Sequence, residues 1–321
     1  MNQLHLFLPC AAGVEGYLAD EVRAITGVGN DDVLTGRGGV MVRGMWRDAM
    51  LLNLYSRLAQ RVLVELSYTE YRSENDLYRA ASEVAWEIWF TPKETFKIEV
   101  TAQHSPLTSL NFAALRVKDA IADRFRAKRH GVRPSVETSR PDVRVHMHLT
   151  TDTCTLYIDT SGEALFKRGW REDKGDAPLK ETLAAAMLAA TGWDPHGPNP
   201  EPLYDPCCGS GTVVIEAAQI ARKIPAGILR RFAFEKLVPF QRHVWEAILD
   251  EAESKILDES PVPIFGSDVS HRMVDFAQRN AERAGVAETV QLRGGDALQR
   301  MPPCDQPGMM LLNPPYGERI A

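Results

Sequence analysis

The sequence predicts an α/β protein built as three successive units, and three observations predict it. Residues 1 to about 65 follow a β-α-β-β-α-β order. A long helix and two alternating runs, VRVHMHL and CTLYIDT, then form an α+β unit. From about residue 200, strands alternate with Gly-rich loops and helices, as in a largely parallel sheet. The expected boundaries are 1–65, 66–171 and 172–321.

The first unit begins with the strand LHLFL. Ala12 to Ile25 reads as a helix, because Val14, Leu18, Val22 and Ile25 share one face and Gly27 stops it. Gly39 to Arg43 is a short strand, Trp46 to Gln60 a second helix, and VLVEL a strand. This order is the ferredoxin-like pattern. In the second unit, Asp76 to Trp89 reads as helix and FKIEV as strand. Ser109 to Lys128 is a long helix with Phe112, Leu115, Val117, Ala120, Ile121 and Phe125 expected toward a core. In the third, Pro178 to Ala190 is an entry helix. The strand PLYD leads into PCCGSGT and the helix VVIEAAQIARK. A mostly helical insertion follows over about 225–258. Then come PIFGSD, a helix from Ser270 to Ala284, TVQLRGGD and GMMLLN. This is a Rossmann-like arrangement.

Composition excludes several classes. At 321 residues, 44% hydrophobic and 25% charged, the chain is an ordinary globular sequence. No run approaches the ~18 apolar residues of a membrane span. The start MNQLHLFLPCAAG has no basic segment ahead of its apolar run and is not read as a signal peptide. The cysteines at 10, 154, 207, 208 and 304 are odd in number and lack CxxC spacing. They predict no disulfide framework, no zinc site and a reducing cytoplasm. Net charge is −6, but residues 1–171 carry +1 and residues 172–321 carry −7. Nine Lys and Arg against four Asp and Glu fall between Arg116 and Arg144. That local excess suggests a positioned polyanion site, although a charge-rich helix end is also explained by solvation alone.

Four short segments carry chemistry, each at a predicted strand end. Asp205-Pro206-Cys207-Cys208-Gly209-Ser210-Gly211-Thr212 is a tight Gly-rich turn into a helix. It lacks the full GxGxxG of a pyrophosphate cradle, and its leading carboxylate attracts a cation rather than a phosphate. A bare β–α turn is the alternative. Asp268 ends the next strand, where an acidic residue accepts from ribose hydroxyls or caps the following helix. Asp296 in GGDA can accept from an exocyclic amine or serve as a turn aspartate. Asn313-Pro314-Pro315-Tyr316 is the most specific segment. An Asn side-chain oxygen and a Pro carbonyl both accept from a planar amine and aim its lone pair at an electrophile. The prolines stiffen the turn and remove competing donors, and a Tyr can stack on an extruded base.

In this order the four segments resemble the S-adenosylmethionine-dependent amino-methyltransferases. NPPYGER, PLKETLAAAML and DPCCGSGT further resemble the bacterial 23S ribosomal RNA guanine-N2 methyltransferases, in particular the N-terminal methyltransferase half of the fused large-subunit enzyme. FTPKETFKIEV, LRVKDAIADRF, RPDVRVHMHL and LFKRGWR resemble the THUMP RNA-binding module. The resemblance implies a class I methyltransferase domain after a ferredoxin-like and a THUMP domain. It implies S-adenosylmethionine as cofactor, guanine 2445 as target, and naked or early-assembly 23S RNA as partner, without a membrane or a metal. By position, Asp205, Pro206, Gly209, Gly211 and Thr212 would hold the methionine end of the cofactor, Asp268 its ribose and Asp296 its adenine. Lys180, Glu181 and Thr182 would help close the site. Asn313, Pro314, Pro315 and Tyr316 would hold the base. Arg116, Lys118, Arg124, Lys128, Arg129, Arg133, Arg140 and Arg144, extended by Lys167, Arg168 and Arg171, would contact RNA phosphates.

The family's sheet continues beyond its fourth strand, whereas this sequence ends five residues past Tyr316. The expectation is therefore the first half of the catalytic sheet only, whether as a fragment of a longer protein, as a truncated gene product, or with the missing half supplied from elsewhere. Two other functions stay open: a DNA adenine-N6 methyltransferase, and a non-catalytic RNA-binding fragment.

Overall fold

The computed structural model describes residues 2–316. Gly317, Glu318 and Arg319, the end of the NPPYGER run, lie outside the described residues.

The first unit comprises β1 (Leu4–Pro9), α1 (Glu15–Thr26), β2 (Val33–Gly36), β3 (Gly39–Gly44), α2 (Trp46–Tyr55) and β4 (Leu63–Glu70). Its strands are antiparallel in the order β2-β3-β1-β4, which is ferredoxin-like. Alternation sets the register: Leu6 opposes Val42 and Val64, Leu8 opposes Val40, and all are buried. The second unit adds α3 (Glu74–Glu83), β5 (Phe96–Ala102), α4 (Leu110–Lys128), β6 (Val143–Leu149) and β7 (Thr153–Asp159). The predicted hairpin is the β6–β7 pair. β7 also pairs with β4, so the two units share one seven-stranded sheet, β2-β3-β1-β4-β7-β6-β5.

One predicted core face is corrected. Helix α4 buries Ala113, Val117, Ala120, Ile121 and Phe125, while Phe112 and Leu115 are 49% and 51% exposed. The i, i+4, i+7, i+8 positions starting at Ala113 already fill the stripe that meets the sheet, and Phe112 and Leu115 point away from it.

The third unit contains α5 (Glu181–Thr191), β8 (Leu203–Asp205), α6 (Thr212–Ala221), α7 (Arg242–Ser254), β9 (Ile264–Asp268), α8 (His271–Arg283), β10 (Val290–Gly294) and β11 (Met309–Met310). The sheet order is β10-β9-β8-β11 and every pair is parallel. The helical insertion does not pack as an appendage of this sheet. Its Phe232, Phe234 and Trp245 join the core of the first two units. The Phe234 ring lies 6.5 Å from Trp46 and 4.8 Å from Trp245.

A buried ion cluster ties the units together. Glu216 in the middle of α6 meets Arg57 Nη1 at 2.8 Å and Arg168 Nε at 2.9 Å. Arg57 also donates to Gln219 and to the Ile224 carbonyl. Arg168 donates to the carbonyls of Leu165 and Arg57. This corrects the grouping of Arg168 with an RNA-facing surface, because it is 2% exposed and fully engaged inside. Burial opposes ionisation of Glu216, but the Arg168 and Arg57 charges overcome it and hold its pKa below the usual range.

Glu216→Leu removes the carboxylate that both buried guanidiniums contact. The expected loss is about 3–5 kcal/mol, read as a lower denaturation midpoint in urea.

Candidate active site

The parallel strands end on one side, and their C-terminal loops enclose a cavity of about 790 Å³. Asp205 closes β8, Asp268 closes β9, Asp296 follows β10, and Asn313 follows β11. All four line this cavity, together with Pro206, Gly209, Thr212, Pro314 and Pro315. Residues as many as 108 positions apart in the chain thus meet because the order β10-β9-β8-β11 gathers their strand ends.

The Gly-rich turn is held by its own backbone and by Asp268. Cys208 N donates to Ser267 O at 2.8 Å, and Gly211 N to Cys208 O at 2.9 Å. Gly209 N donates to Asp268 Oδ2 at 3.0 Å, while Asp268 Oδ1 accepts from Ser270 N at 2.9 Å. The helix cap considered for Asp268 is made by Ser270, whose Oγ accepts from Met273 N. Gly209 and Gly211 have φ of +53° and +96°. A Cβ on Gly211 would stand 3.1 Å from both Ala277 Cβ and Ile215 Cδ1, so this glycine also allows α6 to approach α8.

Asp205 is 2% exposed, and its Oδ1 accepts from Cys207 N at 2.9 Å. Burial, with a smaller contribution from the Asp268 charge, pushes its pKa up to about 7. A buried carboxyl without a cationic side chain beside it is poised to receive a positive group. Asp296 Oδ1 accepts from Leu298 N, which is the turn geometry the sequence allowed. Asp296 still faces the cavity.

Other candidate residues lie elsewhere. Lys180, Glu181 and Thr182 are outside the cavity lining, which is formed instead by the preceding segment 174–179. Glu181 and Thr182 are buried, and Lys180 Nζ sits 5.1 Å from the Phe166 ring centre. Tyr316 is exposed and outside the lining. Among the basic residues, Arg124 is paired with Glu87, Arg144 with Gly162 O and Glu163, and Lys167 with Glu163. Lys118 pairs with Asp119, and Arg116 lies over the Tyr78 ring. Lys128, Arg129, Arg133 and Arg140 are exposed at the end of α4 and in the loop after it.

Four contributors were not read as cofactor-site residues, and one of them, Arg171, was instead grouped with the RNA-facing surface. Arg171 donates to Glu181, to Ser210 Oγ at 2.6 Å and to Thr212 Oγ1. Asn280, fully buried on α8, donates to Ser210 O and Asp173 O. Val269 and Arg272 extend the cavity wall beyond Asp268. Their partners are distant in sequence, and the only local signal is the apolar setting of a charged or amide side chain. Among the described residues, no group of three or more His, Cys, Asp or Glu side chains is placed to hold a metal ion. No described helix is long and apolar enough to cross a membrane.

Comparison with known proteins gives consistent matches. Residues 5–63 match the RlmL ferredoxin-like domain, residues 71–159 the THUMP domain, and residues 168–321 the RMKL-like methyltransferase domain. A "Ribosomal RNA large subunit methyltransferase K/L" from Psychromonas ingrahamii is 38% identical over 99% of this chain. The chain spans only 42% of that relative, so it is less than half as long as the curated protein it matches. Among solved structures, a predicted N6-adenine-specific DNA methylase from Listeria monocytogenes is 32% identical, with a TM-score of 0.89. That match covers 99% of this chain and 81% of the other. SMU.472, described as a methyltransferase complexed with SAH, is 29% identical with a TM-score of 0.88. It covers 100% of this chain and 82% of the other.

The two loop glycines separate strain from crowding. Gly209→Ala meets open space and bears only the left-handed backbone, roughly 1 kcal/mol. Gly211→Ala adds the clash with Ala277 and Ile215, and is expected to cost more, about 2–3 kcal/mol. Denaturant unfolding of the two variants side by side measures the difference.

Proposed function

The chain belongs to the RMKL-like methyltransferase family, and from that premise we propose that it methylates the exocyclic N2 of a guanine in 23S ribosomal RNA, using S-adenosylmethionine. The observation that carries this reading is the convergence of Asp205, Asp268, Asp296 and Asn313-Pro314-Pro315 on one cavity. The residues fit the cofactor group by group. Asp205 is a buried carboxyl awaiting a cation, suited to the ammonium of the methionine end. Each oxygen of Asp268 accepts one backbone N–H and keeps a lone pair for a ribose hydroxyl. Asp296 is suited to the adenine amine. The bound cofactor supplies an electrophilic methyl group on a sulfonium.

The chain's own part in the reaction is orientation. The Asn313 side-chain oxygen and the Pro314 carbonyl accept from the guanine amine, so its lone pair points along the line of transfer. Pro314 and Pro315 carry no N–H to compete for those acceptors. The proton leaves to solvent after transfer, since the site needs no general base for an amine that becomes cationic. The THUMP match and the exposed Lys128, Arg129, Arg133 and Arg140 support RNA as the polyanion, with phosphate contacts that position rather than specify. On this reading the protein works in the cytoplasm, on guanine 2445 of naked or early-assembly RNA, within a longer protein whose second half the relatives carry.

The description of the Listeria structure favours a second reading, adenine-N6 methylation of DNA. The NPPY turn serves either amine. Labelled methyl recovered in N2-methylguanosine from 23S fragments supports the first reading, and label only in N6-methyladenine replaces it. No transfer by a chain that binds cofactor and RNA would make it a binding fragment.

Calorimetric titration with S-adenosylhomocysteine is expected to show one site, lost in Asp268→Ala. Asn313→Ala should keep that binding and lower kcat on the order of 10²-fold. Binding should also depend on pH. A cation beside Asp205 favours the carboxylate, which in the free protein forms only as pH rises through about 7. Affinity should therefore increase between pH 6 and 8, by no more than about tenfold per unit. Asp205→Asn should be weaker throughout and flat over that range.

A further inference from the structure

We propose that Arg171 is a positioning residue for the cofactor loop. Through it, the linker leaving the THUMP region becomes part of the cofactor site. The inference rests on the S-adenosylmethionine reading above.

The linker runs along one face of α6. Arg168 meets Glu216, and three residues later Arg171 meets Thr212, one helical turn nearer the start of α6. Trp170 between them is fully buried, and the Arg171 guanidinium lies 4.9 Å from its ring centre. Arg171 is not part of the cavity lining. It reaches the site through what it holds: Ser210 Oγ in the Gly-rich turn, Thr212 Oγ1 at the first residue of α6, and the Leu179 carbonyl and Glu181 at the entry of α5.

Of these acceptors, Leu179, Ser210 and Thr212 themselves line the cavity. A planar guanidinium can serve the Glu181 carboxylate and two hydroxyls at once. An ammonium on a flexible stem can keep the Glu181 pair but cannot span the rest. Beyond Arg171 the strap is fixed again, with Asp173 held by Arg283 at 2.6 Å and by Asn280. Asn280 also holds Ser210 O. The turn that receives the cofactor is therefore braced by two side chains, Arg171 from the linker and Asn280 from α8.

The test is titration of the full chain with S-adenosylhomocysteine, in wild type, Arg171→Lys and the double variant Ser210→Ala/Thr212→Val. The double variant leaves the Arg171–Glu181 pair in place. Both variants are expected to raise Kd by at least about tenfold, the effect of losing one or two charge-assisted hydrogen bonds. Stoichiometry should stay near one and affinity for a 23S fragment should be unchanged. Unchanged Kd with fewer competent sites or a lower melting temperature would mean that Arg171 is merely structural, and would overturn the proposal. Wild type that fails to bind would remove the cofactor reading as well. Wild type that binds beside variants that bind equally well would remove only the role of Arg171.

Discussion

Glu216 stands between two arginines in the interior, and the assembly of the three regions depends on that arrangement. Each ion alone would be costly to bury, on the order of several kcal/mol. Together they are tolerable because Arg57 comes from the first unit, Arg168 from the linker and Glu216 from α6. The carboxylate that both guanidiniums contact comes from a different region than either arginine. The arginines also spend their remaining donors on the carbonyls of Ile224, Leu165 and Arg57, which lie where the regions meet. The cluster thus specifies a relative placement that apolar contact alone would leave loose.

The same helix carries that placement to the chemistry. α6 begins at Thr212, directly after the turn that faces the cavity, and carries Glu216 one turn later. The charge lock and the turn are consecutive stretches of one rigid element. The cavity they border is walled by Asp205, Asp268 and Asp296, a setting that suits a cationic small molecule and repels phosphate. The exposed cations sit instead after α4 in the preceding unit. Opposite charges thus gather in different parts of one chain, and the net charge of its two halves differs accordingly.

Legibility in the sequence followed distance along the chain. The Gly-rich turn, Asp268, Asp296 and the Asn-Pro-Pro turn were readable because each is a local pattern at the end of a strand. Their convergence follows once the sheet is parallel. Arg168 and Arg171 were read as surface charge because their acceptors on and beside α6, Glu216, Ser210 and Thr212, lie 39 to 48 residues away. The aromatic residues of the insertion looked like part of the third unit, but Phe234 packs against Trp46 of the first unit, and Phe232 and Trp245 join the same core. On α4, Phe112 and Leu115 were assigned by hydrophobicity, whereas the stripe was set by smaller residues one position away. Short-range pattern reports what a residue is, and only the topology reports what it faces.

The pairing of β4 with β7 matters for how such proteins can be rearranged. The seam between the first two units runs through a ladder from Leu63 to Glu70, so a recombination event that moved either unit alone would leave a long naked strand edge on both products. Such edges invite self-association. The two units are therefore physically one piece, larger than the repeating pattern of strands and helices suggests.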